Sequence, residues 1–129
     1  MLFMEKNNVL IRKAEAKDIP FIIRLNAENV EVLSPMDQEK LEKFAAWAEL
    51  SLVVEVQGKP AAFLIALREG LSSYDSENYR WFFKNYPQFL YIDRIVIDKP
   101  YRSLGLGRKL YQKVFHHASL THFPSSQLK

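Results

Sequence analysis

From Asp98 to Leu110 the chain reads DKPYRSLGLGRKL, with Gly105 and Gly107 standing between a strongly apolar run and an amphipathic one. Glycine tolerates positive φ and lets a backbone approach a ligand closely. The first N–H groups of a helix have no partner within it and carry partial positive charge. A turn built from Arg102, Ser103, Leu104, Gly105, Leu106, Gly107 and Arg108, opening a helix, is therefore suited to a pyrophosphate, with Arg102 and Arg108 adding full charges. The nucleoside-triphosphate loop G-x-x-x-x-G-K-[ST] does not occur. The dinucleotide pattern G-x-G-x-x-G fails at Leu110. Two glycines alone fit an ordinary tight turn equally well.

The elements around this turn follow from periodicity. Residues 89–97, FLYIDRIVI, are rich in β-branched and aromatic side chains and form the clearest strand. Leu106, Leu110, Val114 and Ala118 give the helix after the turn its apolar face. Upstream, Val9–Ala14 reads as a first strand. Asp18 is an N-cap with Pro20 in the first turn of a helix over about 19–30. Ser34-Pro35-Met36-Asp37 starts a second helix that buries Leu41, Phe44, Ala45 and Ala48 and ends near Glu49. Ser51–Val56 and Pro60–Leu67 flank Gln57-Gly58-Lys59 as an antiparallel hairpin. Residues 68–88 form a long connection crowded with aromatics. Such a connection is functional or holds a short helix, with at least half its aromatics capping the core and the rest free to line a pocket. The order is β-α-α-β-β-loop-β-α, an α+β (mixed α/β) pattern.

Composition narrows the function classes. The chain has 129 residues, 48% hydrophobic and 26% charged, enough apolar side chain for one domain with a real core. It has no cysteine, which removes disulfides, thiolate metal sites and thiol nucleophiles. His116, His117 and His122 lack metal-ligand spacing and read as surface residues near a helix end, so no metal is expected. No apolar run is long enough to span a bilayer, and the first residues form no signal peptide. No membrane is expected, and a cytoplasmic location is. The net charge is +3, and no acidic residue follows Asp98. That basic end suits an anionic small molecule; no nucleic-acid-binding pattern accompanies it, so no nucleic-acid partner is expected.

Arg102-x-x-Gly105-x-Gly107, after an apolar strand and before an amphipathic helix, resembles the R/Q-x-x-G-x-G/A motif of the GCN5-related N-acetyltransferases (GNAT). The likeness runs through YIDRIVIDKPYRSLGLGRKLYQKVF, residues 91–115. It extends to the upstream order of elements and to Arg12 with Asp18 in IRKAEAKD. The resemblance implies a central, mostly antiparallel sheet flanked by helices. It also implies acetyl-CoA, or another acyl-CoA, as donor, and a small-molecule or protein amine as acceptor. The backbone of Ile95, Val96 and Ile97 would pair with the pantetheine arm, and the N–H groups from Arg102 to Arg108 would hold the pyrophosphate.

In such enzymes an amine attacks the thioester directly. A lysine-like amine, with a pKa near 10.4, must first lose a proton. A carboxylate or a water relay accepts that proton, and a backbone N–H near the end of the central strand stabilises the oxyanion. Asp93 is the candidate base, and Tyr91 a relay or positioning group. By period-2 alternation both face the way of Ile95 and Ile97, with Arg94 opposite. The alternative for Asp93 is a structural salt bridge or a hydrogen bond to a loop. Asp75, Glu77 and Tyr79 are further acceptor-side candidates. The family continues past this last helix, whereas SLTHFPSSQLK shows no strand-like run. The expectation is thus a single, C-terminally truncated domain over residues 1–129, with an open sheet edge that a second copy would cover in a homodimer. A catalytically weak acyl-CoA-binding or interaction module is the alternative function.

Overall fold

The computed structural model describes residues 8–29, 35–72 and 74–120. Four strands, β1 (Val9–Lys13), β2 (Ala48–Val56), β3 (Lys59–Arg68) and β4 (Leu90–Ile97), form one sheet in the order β1-β2-β3-β4, every pair antiparallel. Four helices cover it: α1 (Ile19–Ala27), α2 (Gln38–Trp47), α3 (Glu77–Asn85) and α4 (Leu106–Leu120). Short 3-10 turns at Ala16–Asp18 and Lys99–Leu104 precede α1 and α4. None of the described helices is long and apolar enough to cross a membrane.

Strand alternation sorts the core into two layers. Val53, Phe63, Ile65 and Leu67 bury against α1, α2 and α3, with Leu25, Phe44 and Tyr79 among the helix residues. Leu52, Val54, Leu64 and Ala66 bury against the Leu106, Leu110, Val114, Ala118 stripe of α4. Each fully buried large apolar side chain contributes about 1.5–3 kcal/mol. The sheet is therefore sandwiched, and β3, buried on both faces, reads as an unbroken apolar run. Gln57 and Gly58 close the β2–β3 hairpin with φ of 53° and 79°, the two left-handed residues that a tight hairpin twist requires.

Several boundaries move for local reasons. Asp18 does not cap α1. It already has helical backbone angles because the 3-10 turn precedes it, and its carboxylate accepts from the Glu15 N–H (2.7 Å) and from two Arg12 nitrogens (2.8 and 2.9 Å). Asp37 caps α2 by accepting from the Lys40 N–H (2.8 Å), so the helix starts at Gln38, and Met36 buries in the core instead. Ala48 and Glu49 belong to β2, and Ala45 is exposed. Val30, Ser34, His122 and the tail from Thr121 lie outside the described residues. The 68–88 connection holds α3, capped by Ser76. Tyr79 is buried, Tyr74, Phe82 and Tyr86 are partly so, and Trp81 and Phe83 are exposed.

Arg12 also donates to Glu55 (2.6 Å), tying β1 to β2 and to the start of α1. The Arg12 guanidinium holds the buried Asp18 carboxyl below the usual carboxylate range, against the opposing effect of burial. A carboxyl with a lowered folded pKa adds stability above its unfolded pKa and loses it as pH falls through the folded value. Asp18→Asn is therefore expected to lower stability at neutral pH and to flatten its decline below about pH 4. Urea unfolding across that range measures this; a variant with an unchanged acid slope would show that Asp18 does not carry the linkage.

Candidate functional site

Among the described strands β4 pairs only with β3, so the other edge of β4 is open. A pocket of about 490 Å³ lies along it, lined by Asn29, Ile95, Val96, Ile97, Arg102, Gly107 and Tyr111. The pocket runs from the end of β4 to the first turn of α4. Between them Asp98 caps the 3-10 turn at the Lys99 N–H (2.9 Å), and Arg102 Nε donates to the Ile97 carbonyl (3.0 Å). This brings the Arg102 side chain back to the strand end. Gly105 ends the turn at φ 72°, a backbone that any other residue would strain. Gly107 has an ordinary φ, and a Cβ there would meet only Ile97 Cδ1, at 3.5 Å. The first turn of α4 contains no acidic residue. Ser103, Leu104 and Arg108 are exposed, whereas Leu106 is buried as an anchor of α4.

Asp93 sits where β4 breaks its register. Ile65 pairs with Arg94 but Ala66 pairs with Ile92, which leaves Asp93 as the extra residue of a β-bulge. The bulge inverts the alternation expected from the sequence. Tyr91 and Val96 pack in the layer of α1–α3, while Ile92, Ile95 and Ile97 pack with α4. Arg94 is not opposite Asp93 but bonded to it, Nε to Oδ2 at 2.7 Å. The two side chains are only 3% and 4% exposed. Arg94 also donates to Asn26 Oδ1 (2.9 Å) and lies over the Phe44 ring, 4.9 Å from its centroid. The other Asp93 oxygen accepts from the Tyr74 hydroxyl. Burial, helped by that carboxylate, pushes the Tyr74 phenol up. Tyr91 packs edge-on against Tyr79. Burial raises its phenol too, with hydrogen bonding from Ser76 and Asn78 opposing the shift.

The family model described as the acetyltransferase (GNAT) family matches residues 15–125. The chain belongs to the GNAT acetyltransferase family. No curated protein sequence matches it significantly. Three solved structures show the shared GNAT fold. An aminoglycoside acetyltransferase from an uncultured soil metagenomic sample is 24% identical, with a TM-score of 0.62, covering 92% of this chain and 74% of its own. N-acetylglutamate synthase from Neisseria gonorrhoeae, solved with coenzyme A and N-acetyl-glutamate, is 20% identical with a TM-score of 0.64. It covers 89% of this chain, which spans 23% of that enzyme. Ard1 from Thermoplasma volcanium is 15% identical with a TM-score of 0.66, covering 89% of this chain and 66% of its own.

The structure gives Asp93 the alternative expected of it, a salt bridge and a hydrogen bond to a loop. Its partners, Arg94 beside it and Tyr74 from the 68–88 connection, escape the sequence reading, because no local pattern marks the bulge. The remaining acceptor-side candidates separate: Asp75 and Glu77 are exposed, while Tyr79 is fully buried, donating to the Arg68 carbonyl and accepting from the Leu71 N–H (3.1 Å). His116 is exposed. His117 pairs with Glu49 at 2.7 Å, tying α4 to β2.

Proposed function

We propose that this GNAT domain transfers an acetyl group from acetyl-CoA to a primary amine of a small molecule or protein. The observation that carries the reading is the pocket along the open β4 edge, continuous with the Gly105–Gly107 turn and the acid-free first turn of α4. The edge of β4 at Ile95 and Ile97, which no described strand pairs and where the Ile97 carbonyl already takes Arg102 Nε, suits an amide-bearing pantetheine arm, as an added strand would. The N–H groups of Leu106, Gly107 and Arg108, with Arg102 beside them, suit a pyrophosphate. The residues present thus fit the donor. Solved structures of the same fold hold coenzyme A in the Neisseria synthase and a CoA bisubstrate analogue in Arabidopsis Naa50.

Acetyl-CoA supplies the activated acyl group as a thioester. In the transfer the nitrogen bonds to the carbonyl carbon and the carbon–sulfur bond breaks; CoA leaves as a thiolate and takes the second proton of the nitrogen, after the ammonium has given up its first proton. Asp93 is the carboxylate nearest the break in β4. Tyr74, bonded to it, is the hydroxyl through which that first proton reaches it. A backbone N–H at this bulge, where the β3–β4 ladder is interrupted, is the kind of donor that would stabilise the oxyanion. Tyr91, packed in the aromatic layer, positions this segment.

A thermal-shift titration with acetyl-CoA, CoA and ATP tests the donor site. At a hundred dissociation constants a ligand adds about 2.7 kcal/mol of stability. Stabilisation by both CoA forms but not by ATP is expected, as is thiol release that depends on added amine. Binding without amine-dependent release would instead make the chain an acyl-CoA-binding module, and no binding would remove the assignment of the turn.

A further inference from the structure

On the other layer of the sheet, α1, α2 and the segment before α3 enclose a second pocket of about 680 Å³, whose lining includes Asp37, Lys40, Phe44, Trp47, Tyr74 and Asp75. Tyr74 is common to this pocket and to the bulge: its ring packs against Phe44 and Trp47, at 5.6 and 5.9 Å between centroids, and its hydroxyl reaches Asp93. A phenol has one proton and two lone pairs. The Tyr74 proton is committed to Asp93, whose other oxygen is taken by Arg94. Towards a ligand the Tyr74 oxygen can then only accept. An ether, ester or carboxylate has no proton to offer it, whereas an ammonium does.

The walls favour the same group. Arg94 and Lys40 lie over the buried Phe44 ring, at 4.9 and 5.8 Å from its centroid, which leaves the rings of Trp47 and Tyr74 to face a ligand cation. Trp47 and Tyr74, both part-buried, present apolar area for a carrier, with Phe44 buried behind them. Asp37, Glu39 and Asp75 put three carboxylates on the lining, partly offset by Lys40 and Lys43.

We propose that this pocket receives the acceptor as a primary ammonium on an apolar or aromatic body, held by the Tyr74 oxygen, with Asp93 setting the polarity of that contact. The proposal rests on the acetyltransferase reading for its role as acceptor site. Asp93 is here a positioning residue, and Tyr74 the group that touches the substrate. The pocket is of small-molecule size.

The test reads Trp47 directly. The chain has two tryptophans, so Trp81→Phe, at an exposed position on α3, leaves Trp47 as the sole tryptophan. Its fluorescence is titrated at pH 7 with 2-phenylethylamine, with 2-phenylethyl methyl ether as an acceptor-only probe of similar body, and with 3-phenylpropionate. The amine is expected to bind at least about tenfold more tightly than the ether, the range for a hydrogen bond involving a charged group. Tyr74→Phe should erase most of that difference while leaving ether binding within about twofold. Asp93→Asn, whose amide can donate to Tyr74 and release the phenol proton, should move the preference towards the ether, an effect that simple loosening of the pocket does not produce. Equal affinity for amine and ether in the parent, or a preference retained by Tyr74→Phe, overturns the proposal. Neither result bears on acetyl-CoA stabilisation, so the donor reading and this one fail separately.

Discussion

Gly107→Glu is expected to weaken acetyl-CoA binding by at least about 100-fold without loosening the fold. That is about 2.7 kcal/mol, less than the roughly 4 kcal/mol of repulsion between unit charges about 4 Å apart at an effective dielectric near 20. The substitution places a carboxylate in the pocket lining, at the turn of helix that the phosphates would use. Destabilisation is not the expected cause. The Cβ position meets only Ile97 Cδ1, at 3.5 Å, and Gly107 has no positive φ to defend. Glycine is a poor helix former, and an acid in a first turn is favourable by about 0.3–1 kcal/mol, so the melting temperature should hold or rise. Gly107→Ala serves as the steric control and should cost only a few-fold. Calorimetric titration with acetyl-CoA, beside a melting curve, separates the effects. A glutamate variant that binds like its parent would move the pyrophosphate away from this turn.

The parts of this molecule legible in its sequence are those specified locally. The α4 stripe of Leu106, Leu110, Val114 and Ala118 repeats every four residues and buries at every position. The β2–β3 hairpin follows from two apolar runs meeting at Gln57-Gly58, although its register shifts at Val54/Glu55 and again at Ala48/Leu50, which the turn does not foretell. The bulge at Asp93 is different. It is a mismatch in count between two strands, set by how β3 and β4 must pair at both ends, and no glycine or proline on β4 marks it. Period-2 alternation carried past it puts Tyr91 on the wrong face and separates Asp93 from Arg94. The same limit hides Tyr74, seen in the sequence only as one aromatic among six. Its meeting with Asp93 spans 19 residues and depends on α3 lying over the sheet. Asp18 fails as a cap for a related reason. A cap is a local preference, and the guanidinium of Arg12, six residues earlier, outcompetes it.

The bulge also explains why one short stretch of β4 could serve two ligands. At Ile95 and Ile97 the strand directs apolar side chains to the α4 layer and leaves its edge beside the first pocket. Across the bulge the pattern reverses, and Asp93 reaches through Tyr74 towards the second pocket. A regular strand could not hold Tyr91 and Arg94 on one face and Ile92 and Ile95 on the other. An extra residue with an acidic side chain turns that change of face into a polar junction inside an apolar core.

Sealing that junction should make Arg94 as costly to remove as a core aromatic side chain. Arg94→Leu is expected to lower stability by about 3–5 kcal/mol, the range for orphaning one member of a buried ion pair. That is a large part of the roughly 5–15 kcal/mol available to a domain. Leucine keeps an apolar stem beside Phe44, so the loss is chiefly electrostatic. The Asp93 carboxylate keeps Tyr74 but loses the 2.7 Å bond from Nε, and Asn26 Oδ1 loses its 2.9 Å donor. Asp93→Asn alone should cost less, because it leaves a cation that retains Asn26 and the Phe44 face. The double variant Asp93→Asn/Arg94→Leu should recover part of the loss, since no unpaired carboxylate remains, with a coupling of about 0.5–3 kcal/mol in the double-mutant cycle. Urea unfolding of the four proteins at one pH measures it. Additive effects, or a single-variant loss under about 1 kcal/mol, would mean that water reaches Asp93 freely. A hydrated carboxylate has no need of Arg94 and could release Tyr74, so this stability cycle also tests whether the polarity of the acceptor pocket is built into the fold.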